Sequence, residues 1–167
     1  IDASNIRTGG GKKHLINFIN SSLDKNLNLK FILISNYHII NSFSKNKRVK
    51  CHTNLLLNSF NFLSFLSQII FSSYYLKKNN CEMVFVPGGI FLGNFNPLFS
   101  MSQNMLPFEP KQLKTFKFVQ KLKFRLMRSL QLYTFGRSKG VIFLSKYAKD
   151  KINEYIDLNN KSIIIPH

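Results

Sequence analysis

Short, continuously apolar runs alternate along the chain with segments in which apolar residues recur at helical spacing. The continuous runs predict β-strands at Lys30–Ser35, Glu82–Val86, Leu98–Ser102, Gly140–Leu144 and Ser162–Ile165. The helical spacing predicts α-helices at Lys12–Leu23, Ser59–Leu76, Val119–Tyr133 and Ser145–Ile156. Strands that are apolar on both faces are typical of a parallel sheet covered by helices on either side. The alternation therefore predicts an α/β fold with a doubly wound parallel sheet flanked by helices.

Two of the predicted helices carry a stripe of apolar residues at helical spacing. One stripe consists of Phe62, Phe65, Leu66, Ile69 and Ile70. The other consists of Val119, Leu122, Leu126, Leu130 and Tyr133.

The remaining segments extend this Rossmann-like prediction along the chain. Asn36–Leu57 has a weaker pattern, which fits a short helix and a strand near Arg48–Cys51. Ile1–Ser4 reads as the end of a first strand, and the chain stops where Ser162–Ile165 ends another. We therefore expect residues 1–167 to form one Rossmann-like domain of a longer protein.

Composition indicates a globular protein with anionic partners. The 167 residues are 44% hydrophobic, which allows one domain with a sizeable core. The formal net charge of +17 favours nucleic acid, anionic lipid or phosphorylated substrates. Abundant Lys, Asn, Ile and Phe also fit an AT-rich coding sequence, in which Lys accumulates on solvated faces without a ligand. Charge alone leaves both explanations open.

Cysteine usage and hydropathy indicate where the protein works. Cys51 and Cys81 lack metal-site spacing, as expected of ordinary thiols in a reducing compartment. No apolar run has the length of a transmembrane helix, and no signal peptide is visible. We expect a cytoplasmic protein, able to sit peripherally on the inner face of the cell membrane.

Glycine-rich segments follow two of the predicted strands. Thr8–His14 (TGGGKKH) lies between a strand end and a helix start, where glycines let a ligand approach the backbone and helix N–H groups favour anions. It lacks the dinucleotide-binding and P-loop patterns, so a tight turn without a ligand is the alternative. Gly88 and Gly89 follow Glu82–Val86 and either leave room for a bound molecule or simply make a turn. A valine at Gly10 should block substrate binding. The candidate substrate-binding residues in these segments are Gly9, Gly10, Gly11, His14, Gly88 and Gly89.

Two amide side chains follow Leu98–Ser102, and we expect them at the same edge of the sheet. Gln103 and Asn104 follow this strand, and two prolines then impose a rigid loop. Such amides can hydrogen-bond sugar hydroxyls or a carbonyl, although an Asn commonly caps its own loop instead. Ligands of open α/β sheets bind at this edge, so both residues are candidate substrate contacts. Ser145, after Gly140–Leu144, is a plausible helix cap.

Lys111–Arg128 is basic and aromatic. It holds seven cations and no acid, with phenylalanines interleaved. Such a helix can lie on an anionic membrane surface. It can also follow nucleic acid phosphates, or pack an apolar face in the core and solvate its basic face. No RNP-like or helix-turn-helix pattern supports nucleic acid.

The chain offers little for acid–base or metal chemistry. His38 and His52 are isolated, and no Cys/His/Asp cluster suggests zinc. With seven acids in all, a self-contained carboxylate active site is not expected.

Together these motifs resemble those of family 4 glycosyltransferases. The resemblance rests on Asp2–Asn5 with Thr8–Gly11, on Val84–Gly89, on Met101–Pro110 and on Gly140–Ala148. In addition, Ile164–His167 is similar to the crossover into a second domain. The resemblance covers essentially the whole chain and implies a GT-B fold, in which this chain is the N-terminal, acceptor-binding half.

The resemblance also implies a reaction. A sugar would pass with retention from a nucleotide-sugar donor, without a metal, to a glycan or lipid-linked acceptor of cell-surface polysaccharide or glycolipid synthesis. A C-terminal domain beyond this chain would hold most of the donor site, including paired glutamates and the basic residues at the pyrophosphate. The Gly9–Gly11 loop would approach donor phosphates or acceptor, and Ser145 would contact substrate.

One position departs from the family pattern. Many members have a histidine where this chain has Asn104, which is therefore the candidate catalytic residue. Asn cannot act as a general base, but it can orient a sugar hydroxyl. Two other functions stay open from the sequence: a basic α/β nucleic-acid-binding module, and a GT-B sugar-nucleotide epimerase.

Overall fold

A computed structural model describes residues 1–7, 9–25, 28–43, 46–58 and 65–166. Its named strands all run parallel. β1 pairs with β2, and β3, β4, β5 and β6 pair in that order. Their bounds are Phe31–Ile34 (β1), Val49–His52 (β2), Val84–Val86 (β3), Leu98–Ser102 (β4), Gly140–Phe143 (β5) and Ser162–Ile164 (β6).

Residues 1–3 lie between β1 and β3 and join the two groups of strands. The Ala3 N–H donates to the carbonyl of Ile34 over 2.9 Å, and the Asp2 N–H donates to the carbonyl of Phe85 over 2.9 Å. Asp2 also forms a parallel bridge with Ile34. The strand order is therefore β2, β1, residues 1–3, β3, β4, β5, β6. The chain moves outward in one direction from residues 1–3 to β2 and then in the other direction from β3. The crevice between residues 1–3 and β3 is a topological switch point.

Helices connect these strands and flank the sheet. Gln68–Ser72 forms a π-helical turn between the helical residues 65–67 and α4, and short 3₁₀ turns occur at Leu106–Phe108 and Asn159–Lys161. The α-helices are Gly10–Lys25 (α1), Tyr37–Ile40 (α2), Leu55–Asn58 (α3), Ser73–Lys78 (α4), Pro110–Leu113 (α5), Phe118–Arg137 (α6) and Lys146–Asn153 (α7).

The α/β prediction is confirmed, as is the short helix and strand expected within Asn36–Leu57. Every predicted strand is present, with β4 matching at both ends. The helix expected at Ser59–Leu76 is only partly covered, because residues 59–64 lie outside the described residues. The core side chains gather in three clusters. One lies under α1 and β1, one around β3 and the start of β4, and one between β5, α7 and the end of α6.

The apolar stripe of α6 lies mostly outside the core. Val119, Leu122, Leu126 and Tyr133 are exposed, and the buried residues of the helix are instead Gln131, Thr134 and Phe135. Twenty residues of α-helix extend about 30 Å, whereas the five residues of β4 extend about 17 Å. The helix is therefore longer than the strand it packs on, and most of the exposed apolar residues lie in its first half.

Within the described residues, the apolar stripe before α4 also lies mostly outside the core. Leu66, Ile69 and Ile70 are exposed, and Phe65 is half-buried. Phe62, the remaining member of this stripe, lies outside the described residues. The buried face carries Ser67, Gln68 and Ser72 because it covers the buried carboxylate of Asp2.

Candidate functional site: a cavity at the switch point

A cavity of about 370 Å³ opens at the switch point of the sheet. The loops after residues 1–3, β3 and β4 all contribute to its wall, together with the start of α1 and the middle of α6. Its position is the one at which open α/β sheets bind ligands. The lining residues are Asn5, Ile6, Arg7, Gly11, Phe65, Gly88, Ile90, Gln103, Asn104, Lys123, Leu126, Met127, Leu130 and Gln131.

One side of the cavity is apolar and belongs mainly to α6. Leu126, Met127 and Leu130 lie on consecutive turns of this helix and face the cavity beside Phe65 and Ile90. Such a wall suits the carbon face of a ring or an alkyl chain better than a fully solvated polar group.

Two buried amide oxygens on the wall have no hydrogen-bond partner among the described residues. They are Oδ1 of Asn5 and Oε1 of Gln131. Gln131 is only 1% exposed, so bulk water does not readily satisfy its oxygen. A buried acceptor without a partner costs about 1–3 kcal/mol. Both oxygens are therefore suited to accept hydrogen bonds from a ligand that carries hydroxyl or amide donors.

The charged groups on the wall are positive. Arg7 Nη1 donates to the carbonyl of Leu57 over 2.6 Å, which fixes the guanidinium beside the cavity. Burial lowers the pKa of Arg7, but a guanidinium keeps its charge in proteins. Lys123 adds a second cation, and the described lining residues include no acid. The cavity is thus compatible with an anionic group on its ligand.

Four of the residues expected from the sequence to bind substrate line this cavity: Gly11, Gly88, Gln103 and Asn104. His14 lies behind them, where its Nδ1 is 3.1 Å from Nε2 of Gln103. This contact positions the Gln103 amide.

Gly9 and Gly10 are exposed and are not part of the lining. Helix α1 already begins at Gly10, and a Cβ placed there would meet nothing within 4 Å. The expected block from a valine at Gly10 therefore has no steric basis in the structure. A Cβ at Gly11 would instead lie 3.3 Å from Oε1 of Gln103 and 3.5 Å from Ile6.

The two glycines after β3 have different roles. A Cβ on Gly88 would lie 2.0 Å from Oδ1 of Asn5, whose Nδ2 donates to the Gly88 carbonyl over 2.9 Å. Gly89 lies behind the wall with φ +73°, and a Cβ there would lie 3.1 Å from the carbonyl of Met101. Gly88 therefore allows Asn5 to approach, whereas Gly89 makes the turn and backs Gln131.

The remaining expected residues act as caps. Asn104 is exposed at the rim, and its Oδ1 accepts from the Leu106 N–H over 3.1 Å. This bond is the loop-capping alternative for an Asn at this position. Ser145 is the N-cap of α7, where its Oγ accepts from the Ala148 N–H over 3.1 Å, and it is not part of the lining.

Sequence reasoning missed Asn5, Arg7 and Gln131. A signal existed for Asn5 and Arg7, because both follow the first predicted strand, at the edge where ligands bind. Nothing in the sequence marks Gln131, a single polar residue within an apolar and basic helix.

A buried polar network supports the cavity from behind. Asp2, fully buried, accepts from the Ser4 N–H at 3.1 Å and from Ser72 Oγ at 2.8 Å. Gln68 Nε2 also donates to it over 3.1 Å, and the Gln68 Oε1 accepts from the Leu92 N–H over 3.2 Å. The network fixes the loops after residues 1–3 and after β3, which carry Asn5 and Gly88.

The described residues contain no group of three or more His, Cys, Asp and Glu side chains placed to hold a metal ion. None of the helices that the structure describes has both the length and the apolar character needed to cross a membrane.

Comparison with models of protein families, with curated proteins and with solved structures gave no match. The resemblance to family 4 glycosyltransferases thus has the sequence motifs alone behind it.

Proposed function

We propose that this chain is the acceptor-binding domain of a glycosyltransferase. The full enzyme transfers a sugar from a nucleotide-sugar donor to a glycan or lipid-linked acceptor, with retention, in cell-surface polysaccharide or glycolipid synthesis. The domain is one half of a GT-B fold and works in the cytoplasm. The observation that carries the proposal is the amide oxygen of Gln131, which is buried on the wall of the switch-point cavity and has no hydrogen-bond partner among the described residues.

The chemistry of the wall matches a sugar-bearing ligand. Sugar hydroxyls donate hydrogen bonds to the free oxygens of Asn5 and Gln131, while the apolar side of α6 receives the carbon face of the ring. Arg7 and Lys123 attract a phosphate on the donor or on the acceptor. No single part of this set is specific to sugars, but together they suit a polyhydroxylated, anionic molecule.

The roles proposed for these residues are binding and orientation. The described lining residues include no carboxylate and no imidazole that could take a proton. Asn104 at the rim orients an acceptor hydroxyl while its Oδ1 stays engaged with Leu106. His14 acts on the substrate only through Gln103. The nucleotide sugar is a co-substrate, and the proposed reaction uses no metal.

The experiment compares leucine at two neighbouring glycines of the first turn of α1. Gly11→Leu fills space at the cavity wall, whereas Gly10→Leu projects into open solvent. Both changes replace a helical glycine by a better helix former. At Gly11 this gain is set against the 3.3 Å approach of the new Cβ to Oε1 of Gln103, so a urea melt of each variant checks that both are folded. The assay uses the full-length protein, with the C-terminal donor domain that the proposal requires, and measures transfer of radiolabelled sugar from a panel of nucleotide sugars to membrane and polysaccharide fractions.

We expect Gly11→Leu to raise the KM for acceptor at least tenfold, because the leucine occupies the volume of the ligand. Gly10→Leu should match the wild type. Equal KM values in the two variants, or no transfer from any donor by the wild type, would contradict the proposal. Conversion of the nucleotide sugar without an acceptor would instead support the epimerase alternative.

A further inference from the structure

The first half of α6 exposes large apolar side chains in a row. Phe118 is 77% exposed, Val119 76%, Leu122 57% and Leu126 48%. We call these four residues the docking face. A charged helix surface would normally carry polar residues at such positions, so the row needs a partner that covers it.

The docking face points away from the body of the domain. At about 100° of rotation per residue, its four members fall within an arc of roughly 100°. The centre of that arc lies nearly opposite the buried side chains of Gln131 and Phe135. The described part of the domain therefore leaves the docking face exposed.

Cations border the docking face on both sides. Lys121 and Arg125 flank one side at helical spacing, and Lys123 flanks the other. Across Lys111–Arg128 the sequence carries seven cations and no acid. An apolar row between rows of cations is the pattern of a helix that lies in a bilayer interface and contacts anionic headgroups.

Charge and side-chain type favour a bilayer over the other two possible occupants. A second copy of the chain would bring seven further cations against these seven, in a protein of net charge +17. Single-stranded nucleic acid would use aromatic rings for stacking, and Val119, Leu122 and Leu126 have none.

We propose that the docking face seats α6 on an anionic lipid bilayer. Leu126 belongs both to the docking face and to the cavity wall, so the cavity opens beside the membrane surface. The next step rests on the proposed function. Because the cavity opens beside the membrane surface, the acceptor is a lipid-linked one that enters from the bilayer. The docking itself does not depend on any reaction.

The test measures binding of the purified protein to vesicles by sedimentation. Vesicles of phosphatidylcholine alone are compared with vesicles that contain about 30% phosphatidylglycerol. Leu122→Ser removes one apolar contact, and Met83→Ser is its matched control. Met83 is 52% exposed and precedes β3, at the sheet edge opposite the cavity.

A second pair of variants tests the cations. Lys121→Gln with Arg125→Gln removes two bordering cations, and Lys25→Gln with Lys30→Gln is the control of equal net charge.

We expect tight binding only to the anionic vesicles, weakened by salt because screening shortens the reach of the charges. Leu122→Ser should weaken binding roughly tenfold and Met83→Ser should not change it. Each bordering cation that is removed should weaken binding about fivefold. The control variant, Lys25→Gln with Lys30→Gln, should lose much less affinity for the anionic vesicles.

Several results would overturn the proposal. One is equal affinity for neutral and anionic vesicles, and another is a Leu122→Ser protein that binds like the Met83→Ser protein. A wild-type dimer that Leu122→Ser converts to monomer would assign the docking face to a second copy. Tighter binding to an oligonucleotide than to anionic vesicles would assign it to nucleic acid. None of these results bears on glycosyl transfer, which the glycine pair tests separately.

Discussion

Replacing Gln131 by methionine should stabilise the domain and weaken its ligand binding. Methionine has nearly the same length and helix propensity as glutamine, but it has no oxygen that must be hydrogen-bonded. Gln131 is 1% exposed, and its Oε1 has no partner among the described residues. Relief of a buried, unsatisfied acceptor is worth about 1–3 kcal/mol. We expect a gain near the low end of this range, about 1 kcal/mol.

Thr134 provides the matched control, one turn further along α6. It is equally buried, but its Oγ1 accepts from the Phe91 N–H over 2.9 Å and donates to the Leu130 carbonyl over 2.9 Å. Thr134→Val keeps the shape and leaves the Phe91 N–H without a partner. This change should cost about 1–3 kcal/mol. Two buried polar residues of one helix thus respond with opposite signs.

Urea unfolding followed by circular dichroism measures both changes in the free energy of unfolding. At about 1 kcal/mol, the gain in Gln131→Met corresponds to a Tm increase of roughly 2–4 °C. The lost ligand hydrogen bond should raise the acceptor KM about 2- to 12-fold. If Gln131→Met lowers the free energy of unfolding by as much as Thr134→Val does, the oxygen is already satisfied in the folded protein. The main support for the proposed ligand would then be gone.

Two further predictions concern the loop after β3 and the response to pH. Gly88→Ala should lower the free energy of unfolding by about 1–3 kcal/mol in urea melts, because its Cβ would lie 2.0 Å from Asn5 Oδ1. A second change, Asn5→Ala, should recover part of that loss, and an unaffected single variant would contradict the close approach. Burial, and then Lys50, lower the pKa of His52 below its ordinary value of 6.5. The unfolded chain therefore binds this proton at higher pH, so the free energy of unfolding should fall as pH drops below about 6.5, and His52→Gln should flatten that slope.

The sequence predicts most of the secondary structure because the signals are local. β4 matches its prediction at both ends, since an apolar run after a proline and before amides has few alternatives. The placement of residues 1–3 inside the sheet was expected only as a strand end. Residues 1–3 pair with β1 and β3 through contacts between residues that are at least 31 positions apart in the chain. No local pattern contains that information.

The residues of the candidate site also divide into those that local sequence signals predict and those that they do not. Gly11, Gly88, Gln103 and Asn104 were accessible from the sequence because each lies near the end of a predicted strand. Gln131 was not, because its burial depends on which face of α6 meets the sheet. The same cause explains why the apolar stripe of α6 lies mostly outside the core. Helical periodicity locates an apolar stripe but does not say whether the fold or an external surface covers it.

Residues 1–3 have a consequence for cooperativity. They are the one link in the described sheet between the pair β1–β2 and the four strands β3–β6. Side chains also cross this seam between the two groups of strands, because Ile34 of β1 packs with Val84 and Val86 of β3. Opening of the pair β1–β2 would therefore break up part of the core, and amide hydrogen exchange should show similar protection on both sides of the seam. The cavity lies over the seam, with Arg7 and Gly11 on one side and Gln103 and Gln131 on the other. A ligand in the cavity would contact both sides at once, and its binding energy should raise the protection of both together.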